Sequence, residues 1–290
     1  MFTNECDKNR LSNYPTQIEW GFFVSCFSEV ESYNITMPKK NPNLVAKKVR
    51  RKDGVLTTVY VKVNQDKKLQ KKHKLHTLIK DYNKILSKLN THIDANDDEK
   101  SLAALAIKMM IFTGIRVGNE ESAKGFHSKI HKEEKRTYGL TTLDKTHLTV
   151  KGNSVVFDFI GKKQVPHHIE IDNPKLKEQI LWAHQTTTDR LFGVEYKDIK
   201  RYLYNHLGKQ YTPHDFRGLR ANLEALKKIS QINKRPKPKT KSEVNAEIKE
   251  VLDFVAKKLH NTAGVAKRSY IDSDIIKEHL HKRFNPKNKK

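Results

Sequence analysis

Apolar positions change their spacing several times along the chain, and each change marks an element. Residues 1–42 hold no clear period and place no element. Between Leu44 and Val63, the valines Val45, Val49, Val55, Val59, Val61 and Val63 flank Lys52-Asp53-Gly54. Two β-rich runs about an Asp-Gly pair predict a hairpin over 44–63. Leu78, Ile79, Tyr82, Ile85, Leu86 and Leu89 then recur at helical spacing. Asp94-Ala95-Asn96-Asp97-Asp98 breaks that pattern, with Asp97 or Asp98 placed to cap a new helix. A domain boundary is drawn there, dividing 1–95 from 96–290; a loop inside one domain is the alternative. Leu102, Leu105, Ile107, Met109, Met110, Ile111 and Phe112 make the next segment apolar all round, the pattern of a buried helix. His147–Val150, Val155–Ile160 and His168–Ile171 read as three strands, with turns at 151–154 and 161–166. Beyond Asn173 the chain is helical almost to its end, interrupted from Asn233 to Lys241 by alternating Lys and Pro with nothing to pack. The tail from Lys287 to Lys290 is expected to fray. The fold class is α+β: a small β-rich N-terminal domain, then a mainly α-helical domain carrying a three-stranded β element.

Charge narrows the function classes. Lys and Arg number 57 against 33 acidic residues, a formal net charge of +24 with a pI near 9.8. An excess of one sign this large points to a polyanionic partner, nucleic acid ahead of membrane. A lysine-rich solvated surface gives the same composition. Lys47, Lys48, Arg50, Arg51 and Lys62 fall in the predicted hairpin, which fits either a ribbon against phosphates or an ordinary charged edge. Cys6 and Cys26 form neither a disulfide framework nor a metal site, so a reducing compartment is expected. The apolar patch from Trp20 to Phe27 is too short to span a bilayer and lacks the flanks of a secretory signal.

Four basic motifs carry candidate chemistry. Thr113-Gly114-Ile115-Arg116-Val117-Gly118-Asn119-Glu120 ends the buried helix and sets Arg116 at a tight turn, suited to bidentate phosphate recognition or to an ion pair with Glu120 or Glu121. Gly161-Lys162-Lys163 lies between two predicted strands, where a lysine can deliver a proton to a leaving alkoxide or simply be an exposed turn. Thr212-Pro213-His214-Asp215-Phe216-Arg217-Gly218-Leu219-Arg220 opens a helix with Pro and Asp in its first turn, Arg217 being aimed at an anion or merely solvated. Lys267-Arg268-Ser269-Tyr270 follows His260-Asn261. A phenol with a free pKa of about 10 is a poor nucleophile at neutral pH, and neighbouring cations and phosphate-orienting donors make it useful. A tyrosine after Lys-Arg is otherwise a half-buried helix residue.

Arg, Lys, Arg and Tyr in this order, on helix, hairpin, helix and helix, resemble the type IB DNA topoisomerases of the small kind found in poxviruses, other large DNA viruses and many bacteria. The resemblance runs from Leu102 to Tyr270 and is most specific in the Thr113–Glu120 run, Thr137-Tyr138-Gly139-Leu140-Thr141-Thr142-Leu143, Phe159-Ile160-Gly161-Lys162, Asp215-Phe216-Arg217 and Lys267-Arg268-Ser269-Tyr270. It implies the catalytic fold shared with tyrosine recombinases over 96–290, with 1–95 acting as a DNA clamp. Arg116 and Arg217 then grip the scissile phosphate, Lys162 is the acid for the departing 5′ oxygen, and Tyr270 is the nucleophile. The remaining phosphate ligand falls nine positions before the tyrosine, at Asn261, where poxvirus enzymes carry histidine and bacterial relatives commonly asparagine. A one-residue shift selects His260 instead. Neighbours on a helix diverge by about 100°, so only one of the two is expected to face the phosphate.

Residues expected to touch DNA are Lys47, Lys48, Arg50, Arg51, Tyr138, Lys163, Arg220, Lys267 and Arg268. The resemblance further implies double-stranded DNA as partner, no membrane, and a monomer without cofactor in cytoplasm or nucleoid, or in nucleus or virion according to host. Neither a Walker-type phosphate loop nor a metal-spaced Cys/His cluster occurs in the sequence. His214-Asp215-Phe216-Arg217 has the His-x-x-Arg spacing of tyrosine recombinases, so a site-specific recombinase is the alternative. A catalytically inactive DNA-binding relative is the third reading, which the joint presence of Arg116, Lys162, Arg217 and Tyr270 opposes.

Overall fold

A computed structural model of the chain describes residues 44–50, 56–62, 65–127 and 134–283. Residues 1–42, Arg51, the Lys52-Asp53-Gly54 turn and the 287–290 tail lie outside the described residues. Two compact units divide between Lys80 and Asp81.

In the first unit, β1 (Leu44–Arg50) and β2 (Leu56–Lys62) pair antiparallel from Leu44↔Lys62 to Arg50↔Leu56, the hairpin that the Asp-Gly pair predicts. Lys47, Lys48 and Arg50 hold positions on β1 opposite Val59, Thr58 and Leu56. Helix α1 (Gln65–Lys80) follows.

The second unit is built around a helix with no polar face. α2 (Tyr82–Asp94) buries Tyr82, Ile85, Leu89 and Ile93, one stripe at spacings of three and four. It packs on α3 (Asp98–Thr113), in which Leu102 to Ile107 and Met109 to Ile111 are all buried. Only a helix surrounded by protein tolerates such a sequence. Lys108 is the charged residue buried on it, 2% exposed, beside the buried hydroxyls of Ser101 and Thr113. Its Nζ donates to Asn90 Oδ1 on α2 at 2.7 Å and to Gln179 Oε1 at 2.6 Å on α5 (Pro174–Thr186). Gln179 in turn donates to Asp94 Oδ1 at 3.1 Å, and Lys175 pairs with Asp94 at 2.8 Å. Burial pushes the Lys108 ammonium down to about 8.

Short elements connect α3 to the sheet. α4 (Glu120–Lys124) is capped by Asn119, whose side chain accepts from Ser122 N at 2.9 Å. β3 (Phe126–His127) and β4 (Glu134–Lys135) form a small pair that the residue pattern does not signal. The antiparallel sheet runs β5 (Leu148–Lys151), β6 (Ser154–Gly161), β7 (Val165–Ile171), in register from Leu148↔Phe157 and Val155↔Ile171 to Gly161↔Val165. The second turn is shorter than the sequence implies. Pro166 pairs with Ile160 instead of lying in the loop, as an edge strand permits. Lys162, Lys163 and Gln164 alone make the connection, the last two with φ of 65° and 58°.

After α6 (Tyr196–Tyr202), α7 (Pro213–Asn233) starts at a capping box in which Asp215 Oδ2 accepts from Thr212 N at 2.8 Å. α7 packs with α8 (Lys241–Lys258), and α9 (Ala263–Ser269) and α10 (Ser273–Arg283) complete this core with Ala221, Ile229, Val255, Leu259, Ala266 and Tyr270. The Lys/Pro linker is stitched down, contrary to the expectation that it packs nothing. Its backbone carbonyls at Arg235 and Pro236 accept from Arg283 at 3.0 and 2.7 Å, and the Arg235 guanidinium grips Glu250 at 2.7 and 2.9 Å. Among the described residues no helix is long and apolar enough to cross a membrane.

Lys108 makes stability depend on pH. Between about pH 8 and 10.5 the folded chain has shed this proton while the unfolded chain keeps it, so the unfolded state binds more protons and stability rises with pH. Urea midpoints of wild type and Lys108→Met, compared from pH 7 to 10, should show wild type gaining on the order of 2 kcal/mol relative to the variant. One proton held by the unfolded state alone contributes about 1.4 kcal/mol for each pH step across that window. A difference that stays flat across this range contradicts the buried, depressed lysine.

Candidate active site

The C-terminus of α3 positions Arg116. Gly114 takes φ 70° and closes the helix with its N–H on Met110 O at 2.9 Å. Such a left-handed residue is the ordinary glycine stop. Thr113 Oγ1 reinforces the turn, donating to Met109 O at 2.6 Å and accepting from Ile115 N at 3.1 Å. The chain from Arg116 to Gly118 then lies against the Tyr138–Leu143 run. Leu140 N donates to Arg116 O at 2.7 Å, and Thr141 donates to Val117 O through its N–H at 2.6 Å and its hydroxyl at 2.9 Å. Gly139 meets Gly118 so closely that a Cβ on Gly139 would fall 2.6 Å from the Gly118 N and Cα. This apposition explains the Tyr-Gly-Leu-Thr-Thr-Leu run: it is a backbone cradle for the Arg116 turn. Glu120 is engaged by Arg190 at 3.2 Å, so the ion pair considered for Arg116 does not form there.

Arg116 joins the two C-terminal candidates. Its Nη1 donates to Tyr270 Oη at 3.2 Å and its Nη2 to Asn261 Oδ1 at 3.0 Å. Arg217, in the second turn of α7, is 2% exposed. Its Nη1 donates to Gly114 O and its Nη2 to Leu259 O at 3.1 Å, while the guanidinium carbon lies 5.1 Å from the centre of the Tyr270 ring. Burial pushes Arg217 down to about 10, opposed by Tyr270 and furthered by Arg116, so it stays charged at neutral pH. Among the described residues no carboxylate pairs with Arg116 or Arg217. Asn261 Nδ2 and Arg217 Nε are buried donors without a partner. The arrangement is a cationic hole with unused donors beside a phenol, which suits a tetrahedral oxyanion.

Tyr270 caps α9, its N–H on Ala266 O at 3.1 Å, and is 5% exposed. Asn222 of α7, fully buried, donates to Tyr270 O at 2.9 Å and accepts from Asp272 N at 2.8 Å. That clamp on the backbone leaving the tyrosine has no signature in the sequence, where an asparagine in a helix is ordinary. His214 stacks on the Tyr270 ring at 5.0 Å and 18°; its His-x-x-Arg spacing is the signal that marks it.

His260 and Asn261 part company, but not by helix phase. α8 ends at Leu259, and His260 turns the chain with φ 50°. Asn261 is thereby delivered to Arg116, while the His260 ring packs on His167 at 4.1 Å. Lys162 stands exposed on the β6–β7 turn and makes no hydrogen bond or ion pair among the described residues. Lys163, Lys267 and Arg268 are also exposed. Tyr138 is half-buried, its ring 4.4 Å from His147 and its N–H on Ile160 O at 2.8 Å. Arg220 differs from the expectation of a DNA contact: its Nη2 meets Glu224 Oε1 at 2.5 Å, with side chains 14% and 3% exposed, so its charge is neutralised inside the fold.

Comparison with known proteins identifies the family. The chain matches the model of the family described as "Eukaryotic DNA topoisomerase I, catalytic core" over residues 60–289. A DNA topoisomerase 1B of Acanthamoeba polyphaga mimivirus is 22% identical over 188 residues, 60% of this chain and 53% of that protein. The chain thus spans about half the length of the curated relative it matches.

Two glycine variants separate the cradle from an open site. Gly139→Ala should lower the melting temperature by overpacking worth about 1–3 kcal/mol. Gly218→Ala, on α7 with nothing within 4 Å of the added Cβ, should be neutral or stabilising by up to about 1 kcal/mol through helix propensity. Thermal melts giving equal effects for the two would refute the close Gly139–Gly118 approach.

Proposed function

The chain belongs to the family of the eukaryotic DNA topoisomerase I catalytic core, the type IB topoisomerases, and from that membership we propose that it relaxes supercoiled duplex DNA through a transient 3′-phosphotyrosyl bond. The observation that carries the reading is the pair of guanidinium groups without a carboxylate, set about Tyr270 with orphan donors on Asn261 and Arg217. A phosphodiester supplies both the missing charge and the missing acceptors.

In this reading Arg116, Arg217 and Asn261 Nδ2 hold the non-bridging oxygens, where donors already in place stabilise the charge that builds in the transition state. Tyr270 Oη bonds to phosphorus, its proton passing to solvent, and the bond from phosphorus to the 5′ oxygen breaks. Lys162 gives that oxygen a proton. The freed 5′ end swivels about the intact strand, releasing torsion of either sign, and its hydroxyl reverses the reaction. Phosphodiester energy is kept in the phosphotyrosine, so resealing needs no ATP, and protein cations supply the charge stabilisation otherwise taken from a metal. Lys163, Lys267 and Arg268, with Lys47, Lys48, Arg50 and Arg51 of the hairpin, are proposed as backbone contacts, 1–95 as the clamp and 96–290 as the catalytic domain, in a monomeric enzyme on double-stranded DNA.

The deciding experiment is incubation with plasmid in EDTA without nucleotide. Relaxation of both negative and positive supercoils is expected. Dependence on magnesium and ATP, or a defined recombination product in place of relaxation, overturns the proposal. Tyr270→Phe should abolish covalent attachment to DNA with non-covalent binding nearly unchanged, since most affinity comes from many phosphate contacts; an adduct surviving in this variant moves the nucleophile elsewhere.

Asn261→Ala should slow cleavage about 10²–10³-fold, the usual cost of one transition-state donor. His260→Ala should slow cleavage less than Asn261→Ala does. Single-turnover cleavage rates check this, and a reversed order of the two variants assigns the ligand to His260.

A further inference from the structure

Lys162 sits at the tip of a three-residue turn, on a side chain with no partner among the described residues. A general acid must be held within reach of one oxygen, so something else has to hold the turn. The residue beneath it is His167, 8% exposed on β7 and paired across the sheet with Phe159. Its ring stacks on Phe159 at 4.6 Å and 17°, and on its other face against His260 at 4.1 Å and 32°. His260 is the residue that turns the chain into Asn261, the partner of Arg116. The base of the turn rests on the same ring: a Cβ on Gly161 would fall 2.4 Å from His167 Nε2.

We propose that His167 is a positioning residue, whose ring, held between Phe159 and His260, docks the Lys162 hairpin onto the phosphate-binding residues and so places the acid for proton delivery. The inference rests on the assignment of Lys162 as that acid. The chemistry of the ring agrees with a docking role. Burial, furthered by His260, Arg217 and Arg116, pushes His167 down to about 3, so the ring is neutral under ordinary conditions and adds no charge beside the two guanidinium groups. Its Nδ1 is buried without a partner, so stacking and shape hold it in place. Gly161 is required because only a residue without a side chain lets the turn approach the ring this closely.

The test is single-turnover cleavage of a duplex carrying a site mapped on plasmid for this enzyme. It is made once with the normal phosphodiester and once with sulfur replacing the 5′ bridging oxygen, a leaving group that needs no proton. His167→Ala and Gly161→Ala should each slow the normal substrate at least tenfold and cleave the sulfur substrate at close to the wild-type rate, as Lys162→Ala should. Because both act on one contact, the double variant should be no slower than the slower single one. A merely structural defect slows both substrates equally, and that result overturns the docking role. If His167→Ala does not fold, judged by its melting curve, Gly161→Ala decides alone. Sulfur rescue of Lys162→Ala without rescue of His167→Ala and Gly161→Ala refutes this proposal and leaves the acid assignment standing. Equal slowing of Lys162→Ala on both substrates refutes the acid assignment and the docking role with it.

Discussion

The site depends on keeping a buried guanidinium charged without a carboxylate. Arg217 has lost nearly all its water, and a carboxylate beside it would neutralise the charge proposed to meet the phosphate. The fold answers with carbonyls. Gly114 and Leu259 are the C-terminal caps of α3 and α8, and both direct their oxygens at Arg217. Helix C-termini carry partial negative charge and unsatisfied carbonyls, so two of them stabilise a cation without cancelling it. That constraint decides where both helices stop. It also forces the glycine at 114, since a Cβ there would come 2.6 Å from Leu259 Cδ2.

Arg116 is held differently, by backbone. Its guanidinium is left to Tyr270 and Asn261, so the turn beneath it must be rigid without using its side chain. The cradle of Gly139, Leu140 and Thr141 does this through main-chain and hydroxyl hydrogen bonds. The Thr142 hydroxyl closes the cradle on itself, accepting from Gly139 N at 2.9 Å. Asn222 fixes the backbone at Tyr270, and the α7–α10 core packs its side chain. A tyrosine that belongs to a hydrophobic core is held in place, and for the proposed attack on phosphorus this preorganisation lowers what must be rearranged.

Among the described residues, aromatic rings link the sheet to the turn after α8 and to the 138–147 connection. Phe159, His167 and His260 form one stack, and Tyr138 on His147 forms a second contact beside β6. Neutral rings suit a neighbourhood already holding two uncompensated cations, where a further charge of either sign would cancel or repel them.

Much of this is legible in the chain itself. An apolar run without a polar side specifies the buried α3, the Asp-Gly pair predicts the β1–β2 hairpin, and Pro213 with Asp215 announces the start of α7, because these patterns act within a few residues. Motif order singles out Arg116, Lys162, Arg217 and Tyr270, the family resemblance adds Asn261 over His260, and the structure draws Arg116, Arg217, Asn261 and Tyr270 together from separate elements. What the sequence could not carry were contacts between residues far apart in it. Arg220 and Glu224 stand one helical turn apart, but the burial that selects their ion pair over water, and so turns a candidate DNA contact inward, is decided by tertiary packing. The Lys/Pro linker is tied down by Arg283, 47 residues beyond Pro236. His260 is separated from Asn261 by a left-handed turn at the end of α8 that no local pattern specifies, and Asn222 and His167 gain their places only from what α9 and the sheet bring against them. Local sequence determined the elements and the chemical identity of the cations; long-range packing decided which of those cations stay without a carboxylate, and so where the proposed phosphate would fit.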